Sequence, residues 1–169
     1  MNLAPEIPLT APLATIIPYR DSDAAAFYAL NRAWLDEHGL YEEPDERQLA
    51  DPVGQIIEPG GAIWVAVAGG EVIGTAAVLP HGPGEVEIVK LTVAEPARGQ
   101  GLGRRLAERC IEAARAMGAR RIVLVSSSRL GAALRLYEAL GFHHVPPPGN
   151  PVYSTADVYM ELDLPHADG

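Results

Sequence analysis

The chain has 169 residues, 48% of them hydrophobic, which is enough to build the core of one domain. Its formal net charge of -9 argues against general nucleic-acid binding, and its single cysteine, Cys110, excludes an internal disulfide or a cysteine-rich zinc site. Because no apolar run reaches the roughly 18 residues of a membrane helix, we expect a cytoplasmic protein with no membrane partner.

The first predicted elements follow a proline-containing stretch. Residues 1–13 have no helical period, so we expect a flexible arm there and a single domain over residues 14–165. A first strand is predicted at residues 15–18. Two helices are predicted at about residues 23–38 and 43–51, and Gly39 ends the first of them.

The rest of the chain alternates between strands and helices. Two β-rich runs are separated by Gly69-Gly70, which is typical of a tight hairpin. The predicted elements from there on are strands at residues 62–68, 72–79 and 85–93, a helix at 101–117, a strand at 122–125, a helix at 130–140, and strands at 142–145 and 157–164. This order predicts an α/β protein of the α+β kind, in which helices flank one mixed β-sheet.

Charge is unevenly distributed along the chain. Nine of the twelve arginines lie in residues 98–135, whereas residues 21–58 contain ten acids and two arginines. One interpretation is an anionic ligand on one side of the protein and a cationic one on the other. The alternative is two solvated faces. The pattern alone leaves both open.

One glycine-rich loop follows a predicted strand and opens a predicted helix. Its alternating glycines allow a positive φ and a close approach of backbone to a bulky anion, and the N-terminus of the helix adds N–H groups and a positive dipole. Arg104, Arg105 and the first loop residue add positive charge. The spacing fits neither a Rossmann nor a Walker fingerprint, so the loop alone indicates an anion site or only a tight turn. Its sequence is Arg98-Gly99-Gln100-Gly101-Leu102-Gly103.

Three segments together resemble the GCN5-related N-acetyltransferases. Residues 93–103, ending in this loop, are similar to the family's acetyl-CoA signature. Residues 136–142, Leu-Tyr-Glu-Ala-Leu-Gly-Phe, are similar to its L-Y-x-x-x-G-F motif. Residues 87–93 resemble the E-L-x-K-x-x-V strand of small bacterial members. The resemblance covers roughly residues 15–164 and implies the acyl-CoA N-acyltransferase fold. It also implies transfer of an acetyl group from acetyl-CoA, without a metal, to a primary amine of a small molecule or peptide.

The resemblance also implies where acetyl-CoA binds. Its pyrophosphate would lie on backbone N–H groups of residues 98–104, that is Arg98, Gly99, Gln100, Gly101, Leu102, Gly103 and Arg104. Its pantetheine arm would pair with Leu91, Thr92 and Val93 between two splayed parallel strands, where a backbone N–H would stabilise the thioester oxyanion. One position departs from the family. Many members have asparagine seven residues before the motif tyrosine, and this chain has Leu130, so Ser126, Ser127 or Ser128 would have to substitute.

Two residues are candidates for proton transfer. Tyr137 matches the family's general acid, although it could simply be an aromatic on an apolar helix face. Glu87 is the candidate base. In a regular strand it shares a face with Val89, Leu91 and Val93, which would raise its pKa. A family β-bulge would change this facing. The alternative for Glu87 is a surface carboxylate paired with Lys90 or an arginine.

The acceptor site is less defined by the sequence. By family analogy Trp34 and Tyr41 would line it, although core packing is the alternative, and the acidic N-terminal half favours a cationic acceptor. His38, His143 and His144 lack metal-ligand spacing and are interpreted as structural. Dimers are common in the family, so a homodimer is an open expectation. The sequence leaves two alternatives to an acetyltransferase. One is a non-catalytic acyl-CoA-binding sensor or partner module, and the other is a nucleotide-binding regulator.

Overall fold

The computed structural model describes residues 14–165 of the chain. The expected arm, residues 1–13, lies outside the described residues. Within them the predicted order of elements is confirmed. Among the helices of residues 14–165, none combines the length and the apolar character of a membrane span.

The strands of the described residues form one seven-stranded sheet. Its order is β1-β2-β3-β4-β5-β7-β6, and all neighbours are antiparallel except β4 and β5, which confirms a mixed sheet. The strands are β1 (Thr15–Pro18), β2 (Ala62–Ala68), β3 (Glu71–Gly82), β4 (Glu85–Val93), β5 (Arg121–Ser126), β6 (His143–Val145) and β7 (Val158–Asp163).

Helices cover both faces of the sheet. They are α1 (Ala24–Glu37), α2 (Glu43–Ala50), α3 (Leu102–Ala116) and α4 (Gly131–Ala139). Gly39, with φ 65, follows the end of α1, as the sequence predicts. Gly69 and Gly70 have φ 58 and 79, the conformation of a tight two-residue hairpin turn. A five-residue π-helical turn, Val53–Ile57, was not predicted.

Two hydrophobic clusters lie on opposite faces of the sheet. On one face Leu102, Leu106 and Cys110 of α3 pack with strand residues. On the other, Phe27 of α1 and Leu49 of α2 pack against the sheet. Both clusters contain residues that are less than 1% exposed, so each helix layer is fixed to the sheet by dense apolar packing.

The only parallel pair of the described sheet is short. β4 and β5 pair over Glu85–Glu87 and Arg121–Val123, and no register continues beyond these residues in the described chain. The backbone of residues 88–93 is therefore paired with β3 on one side and left without a strand partner on the other. This unpaired edge positions the site described below.

A bulge at Lys90 changes which way the second half of β4 faces. Lys90 has φ 54 and is the only non-glycine residue of the described chain with a positive φ, and the β3–β4 register shifts opposite it. Val89 packs with the α1 side, whereas Leu91 and Val93 pack with the α3 side. The expectation that Glu87 shares a face with Leu91 and Val93 is therefore wrong, because the extra residue reverses the alternation.

Candidate active site

A cavity lies where β4 and β5 are no longer paired. It is bounded by α1, β4, β5, α4 and the connection between β6 and β7. It brings together Glu87, Tyr137 and Trp34 with the predicted coenzyme-contacting backbone of Leu91 and Thr92. These residues are far apart in sequence, so the fold alone assembles them.

Tyr137 lies in α4 and borders the cavity. It is 8% exposed, and its ring meets Phe142 edge-on at 5.8 Å between centroids. No hydrogen bond to its hydroxyl is present among the described residues, although the residue lines the cavity. Burial, and secondarily the Cys110 thiol, raise the pKa of Tyr137. A phenol that stays protonated and has no protein partner can donate a proton to a group in the cavity.

Glu87 lies in β4 on the cavity wall. Burial raises the pKa of Glu87, and the charges of His81 and Lys90 partly oppose this shift. The alternative in which Glu87 forms an ion pair is not seen within the described chain, because Lys90 binds Asp45 instead. A half-buried carboxylate without an ion-pair partner and with a raised pKa is suited to accept a proton near neutral pH.

Lys90 forms an ion pair beside the cavity that is almost fully buried. Its ammonium binds Asp45 of α2, and the two side chains are 7% and 5% exposed. The other oxygen of Asp45 accepts the backbone N–H of Glu42 at 2.9 Å. This pair fixes the side chain of the bulge residue to α2, so the positive φ of Lys90 is held by tertiary contacts.

A buried polar network fixes the backbone of the same bulge. The hydroxyl of Thr75 donates to the carbonyl of Lys90 at 2.7 Å, and Asn31 Nδ2 donates to the Thr75 hydroxyl at 3.1 Å. Asn31 Oδ1 accepts the Thr92 hydroxyl at 2.8 Å, and Nδ2 also donates to the carbonyl of Phe27 at 2.9 Å. The three side chains of this network belong to α1, β3 and β4, so the network connects α1 to the bulge.

Tyr153 is a cavity residue that the sequence did not single out. It lies in the connection between β6 and β7, which the sequence presents only as a proline-rich segment without periodicity. Burial, followed by the charges of Asp45, Glu87 and Glu42, raises the pKa of Tyr153. No local sequence signal could have placed this phenol beside three carboxylates, because the contact depends on how the connection folds back over β4.

Glu42 holds that connection in place. Its Oε1 accepts the N–H and hydroxyl of Ser154 at 2.9 and 2.8 Å, and its Oε2 accepts the N–H and hydroxyl of Thr155 at 3.2 and 2.6 Å. These bonds outweigh the effect of burial and lower the pKa of Glu42 to about 2. The carboxylate is therefore ionised at neutral pH and ties the wall of the cavity to the start of α2.

The glycine loop has the backbone that an anion site requires. Gly99 and Gly101 have φ 77 and 85, and a Cβ at either would meet nothing within 4 Å, so backbone conformation, not space, favours glycine. No side chain of the described residues caps the first turn of α3, which leaves the N–H groups of Leu102, Gly103 and Arg104 available.

Two arginine side chains at this loop form ion pairs with carboxylates of the protein. Arg98 Nε donates to the carbonyl of Val93 at 3.0 Å, and its guanidinium binds Glu37 at 3.0 and 3.3 Å. Arg104 Nε binds Glu108 at 2.8 Å. The positive charge of these two side chains is thus partly balanced by a carboxylate partner. Arg98 instead connects the end of α1 to the end of β4.

Only some of the other residues predicted to contact the acceptor or the coenzyme line the cavity. Tyr41 does not line it among the described residues, because its ring stacks under the Arg32 guanidinium and its hydroxyl donates to Glu46 at 2.6 Å. Leu130, at the family's asparagine position, does line the cavity, together with Ser126 and Ser127. Ser128 instead binds Asp157 through its N–H and its hydroxyl. No group of three or more potential metal ligands lies together in residues 14–165.

Comparison with known proteins identifies the family of this chain. Residues 24–142 match the Acetyltransferase (GNAT) family. The chain is 33% identical to the uncharacterized N-acetyltransferase YjgM of Escherichia coli (strain K12), over 85% of this chain and 87% of that protein. It is 32% identical to N-acetyltransferase family 8 member 2 of Rattus norvegicus, over 64% of this chain and only 50% of that protein. The structure of yncA from Salmonella typhimurium, solved with its cofactor acetyl-CoA, superposes with a TM-score of 0.72 and 27% identity, covering 92% of this chain and 96% of that one.

Proposed function

Because this chain belongs to the acetyltransferase (GNAT) family, we propose that it transfers the acetyl group of acetyl-CoA directly to a primary amine of a small molecule or peptide. One observation carries the proposal. A single cavity contains a half-buried carboxylate, Glu87, a buried phenol, Tyr137, and the edge of β4 that has no strand partner. Direct acyl transfer requires a base, an acid and an oxyanion site, and these three features supply them.

The glycine loop and the open edge of β4 would hold acetyl-CoA. Its pyrophosphate fits the uncapped N–H groups at the start of α3 and the backbone of residues 98–104. Its pantetheine arm fits the unpaired edge of Leu91, Thr92 and Val93, where it would add as an extended strand. A backbone N–H of this edge would stabilise the oxyanion of the thioester.

Proton transfer is assigned to the two cavity side chains. Glu87 takes a proton from the acceptor ammonium, directly or through water, so that a neutral amine attacks. The nitrogen then bonds to the carbonyl carbon, the oxyanion collapses as the carbon–sulfur bond breaks, and the departing thiolate takes the proton of the Tyr137 hydroxyl. The second proton that the nitrogen must lose to become an amide returns, directly or through water, to the Tyr137 oxygen, and Glu87 releases its proton to solvent. The raised pKa of Glu87 favours proton uptake, and that of Tyr137 keeps its proton in place until the thiolate forms.

The test of this proposal is Glu87→Gln, assayed by release of coenzyme A thiol with a panel of amines. Because a positioned base contributes about 10²–10⁴ in rate, we expect turnover to fall at least tenfold at neutral pH. Acetyl-CoA affinity, measured by calorimetry, should stay nearly unchanged. Glu85→Gln is the matched control. Glu85 is half-buried in the same strand but binds Arg121, so turnover should stay within about twofold.

Two results would contradict the proposal. Unchanged turnover in Glu87→Gln would remove Glu87 as the base. Binding of acetyl-CoA without turnover across a broad amine panel would favour the non-catalytic sensor instead. A cytoplasmic location and a homodimer remain predictions of the sequence, and sedimentation of the full chain tests the second.

A further inference from the structure

The acids of the N-terminal half are largely engaged within the protein. Asp36 binds Arg32 at 3.0 Å, Glu43 lies 3.7 Å from Arg47, and Glu46 accepts the hydroxyls of two tyrosines. Together with the ion pairs of Glu37 and Asp45 and the bonds of Glu42, these contacts use most of the carboxylates that suggested a cationic acceptor. The excess of acids in this half is thus a weak argument for a polycation.

The wall of the cavity that faces away from the coenzyme edge is apolar and aromatic. Trp34 and Leu35 come from α1, Leu40 from the α1–α2 connection, and Tyr153 from the connection between β6 and β7. Leu35 and Leu40 are 9% and 8% exposed, so only a small part of each contributes to the cavity surface. An acceptor bound here would therefore contact mainly ring faces and aliphatic carbons.

Among the described residues, the charged side chains that line the cavity are Asp45, Glu87 and Lys90. Lys90 is the only cation among the lining residues of the described chain, and it is held by Asp45. Glu87 has no ion-pair partner within residues 14–165. Asp45 is held by Lys90, and Glu42 is not among the lining residues of the described chain, so Glu87 is the one lining carboxylate of residues 14–165 without an ion-pair partner. An acceptor ammonium is attracted to Glu87, but an acceptor carboxylate would find no free cation.

We propose that the acceptor is a monoamine with an apolar or aromatic carbon skeleton and no negative group beside its amino nitrogen. This inference rests on the proposed acetyltransferase function. The amino group would lie against Glu87, and the skeleton would lie against Trp34 and Tyr153. Free α-amino acids are disfavoured because their carboxylate would be desolvated without a partner. Polyamines are disfavoured because their second ammonium would enter an apolar wall.

The expected selectivity follows from the cost of a polar group left unpaired. Loss of a partner for a charged group in a desolvated site is expected to lower kcat/KM at least about tenfold. A methylene removed from an apolar contact would cost less. Charge is therefore expected to decide between acceptors more strongly than size.

The experiment uses acceptors that share one skeleton. Phenethylamine, phenylalaninamide and phenylalanine carry no substituent, a neutral one and a charged one beside the amine. Thiol release at saturating acetyl-CoA gives kcat/KM for each, with spermidine as the polycationic comparison. We expect phenethylamine to exceed phenylalanine and spermidine at least tenfold. Phenylalaninamide should lie closer to phenethylamine than to phenylalanine, which separates charge from bulk.

Trp34→Ala tests the aromatic wall by itself. Its KM for phenethylamine should rise about tenfold, because an aromatic contact is lost, whereas its KM for acetyl-CoA should change less than twofold. Trp34→Phe, which keeps a ring, should restore most of the affinity for phenethylamine. Thermal unfolding of both variants shows whether the fold is retained. In a less stable variant, the ratio of the KM for phenethylamine to the KM for acetyl-CoA still reports on the aromatic wall.

The possible outcomes distinguish a wrong acceptor class from a wrong acetyltransferase function. Preferred turnover of phenylalanine or spermidine overturns the acceptor class but leaves the acetyltransferase function standing. An equal rise in KM for phenethylamine and for acetyl-CoA in Trp34→Ala also overturns the acceptor class. Absence of turnover with every amine overturns the function, and the acceptor class with it.

Discussion

Thr75→Val removes one hydroxyl from the network that holds the bulge of β4. Thr75 is fully buried and has nearly the shape of valine, so the substitution deletes hydrogen bonds with little change in volume. The hydroxyl donates to the Lys90 carbonyl at 2.7 Å and accepts from Asn31 at 3.1 Å. The variant leaves a buried carbonyl and a buried amide N–H without this partner.

The magnitude follows from these two bonds. Leaving a buried polar group unpaired costs about 1–3 kcal/mol, so the free energy of unfolding should fall by about 2 kcal/mol. The left-handed conformation of Lys90 itself costs roughly 1–2 kcal/mol and is retained only because its contacts hold it. We therefore expect β4 to relax toward a regular strand. The oxyanion N–H would then be misplaced, and kcat would fall about tenfold or more.

The assay separates this effect from general destabilisation. Urea unfolding gives the change in stability, and thiol release gives kcat and the KM for acetyl-CoA. Thr75→Ser restores the hydroxyl and should recover most of the kcat. Val78→Ala is the control, because Val78 lies in the same strand and is equally buried, but packs on the α3 side and makes no bond to the bulge. It should lose stability by a similar amount while keeping its kcat.

The reasoning is refuted if Thr75→Val loses stability like Val78→Ala but keeps kcat within about twofold. The bulge would then not depend on Thr75, or turnover would not depend on the bulge. A loss of kcat that Thr75→Ser fails to recover would also refute it, since the hydroxyl would not be the cause.

Three further predictions concern the loop, the connection over the cavity and the cysteine. Gly101→Ala forces a side chain into φ 85, so acetyl-CoA affinity should fall about tenfold by calorimetry, whereas Gly118→Ala, with φ 76 after α3, should leave it unchanged. The depressed pKa of Glu42 means that its stabilising effect is present above its ordinary value of 4.5 and lost as pH falls toward about 2. The melting temperature of Glu42→Gln should therefore depend less steeply on pH over this window than that of the wild type, and an equal slope would contradict the assignment. Burial raises the pKa of Cys110 to about 12, so a thiol reagent should label it only as fast as the chain unfolds. Rapid labelling of the folded protein would contradict its burial.

The sequence predicted the elements whose signals are local. The turn at Gly69-Gly70, the end of α1 at Gly39 and the helix that follows the glycine loop were all expected from turn chemistry and apolar spacing. The glycine-loop motif, together with the strand before it and the tyrosine motif after it, was sufficient to indicate the family. These signals are local because they depend on φ, on the N–H groups of one helix turn, or on the period of one element.

Only the tertiary structure decided how the site is arranged. Leu91 and Val93 face the α3 side because one extra residue at Lys90 reverses the alternation, and that residue is held from α2 and β3. The position of Tyr153 over the cavity depends on its connection folding back over β4 and on Glu42, more than a hundred residues earlier, binding the next two residues. Arg98 of the glycine loop pairs with Glu37 of α1, a contact that the sequence of the loop does not indicate. In each case the deciding contact joins residues distant in sequence, and no local pattern encodes such a contact.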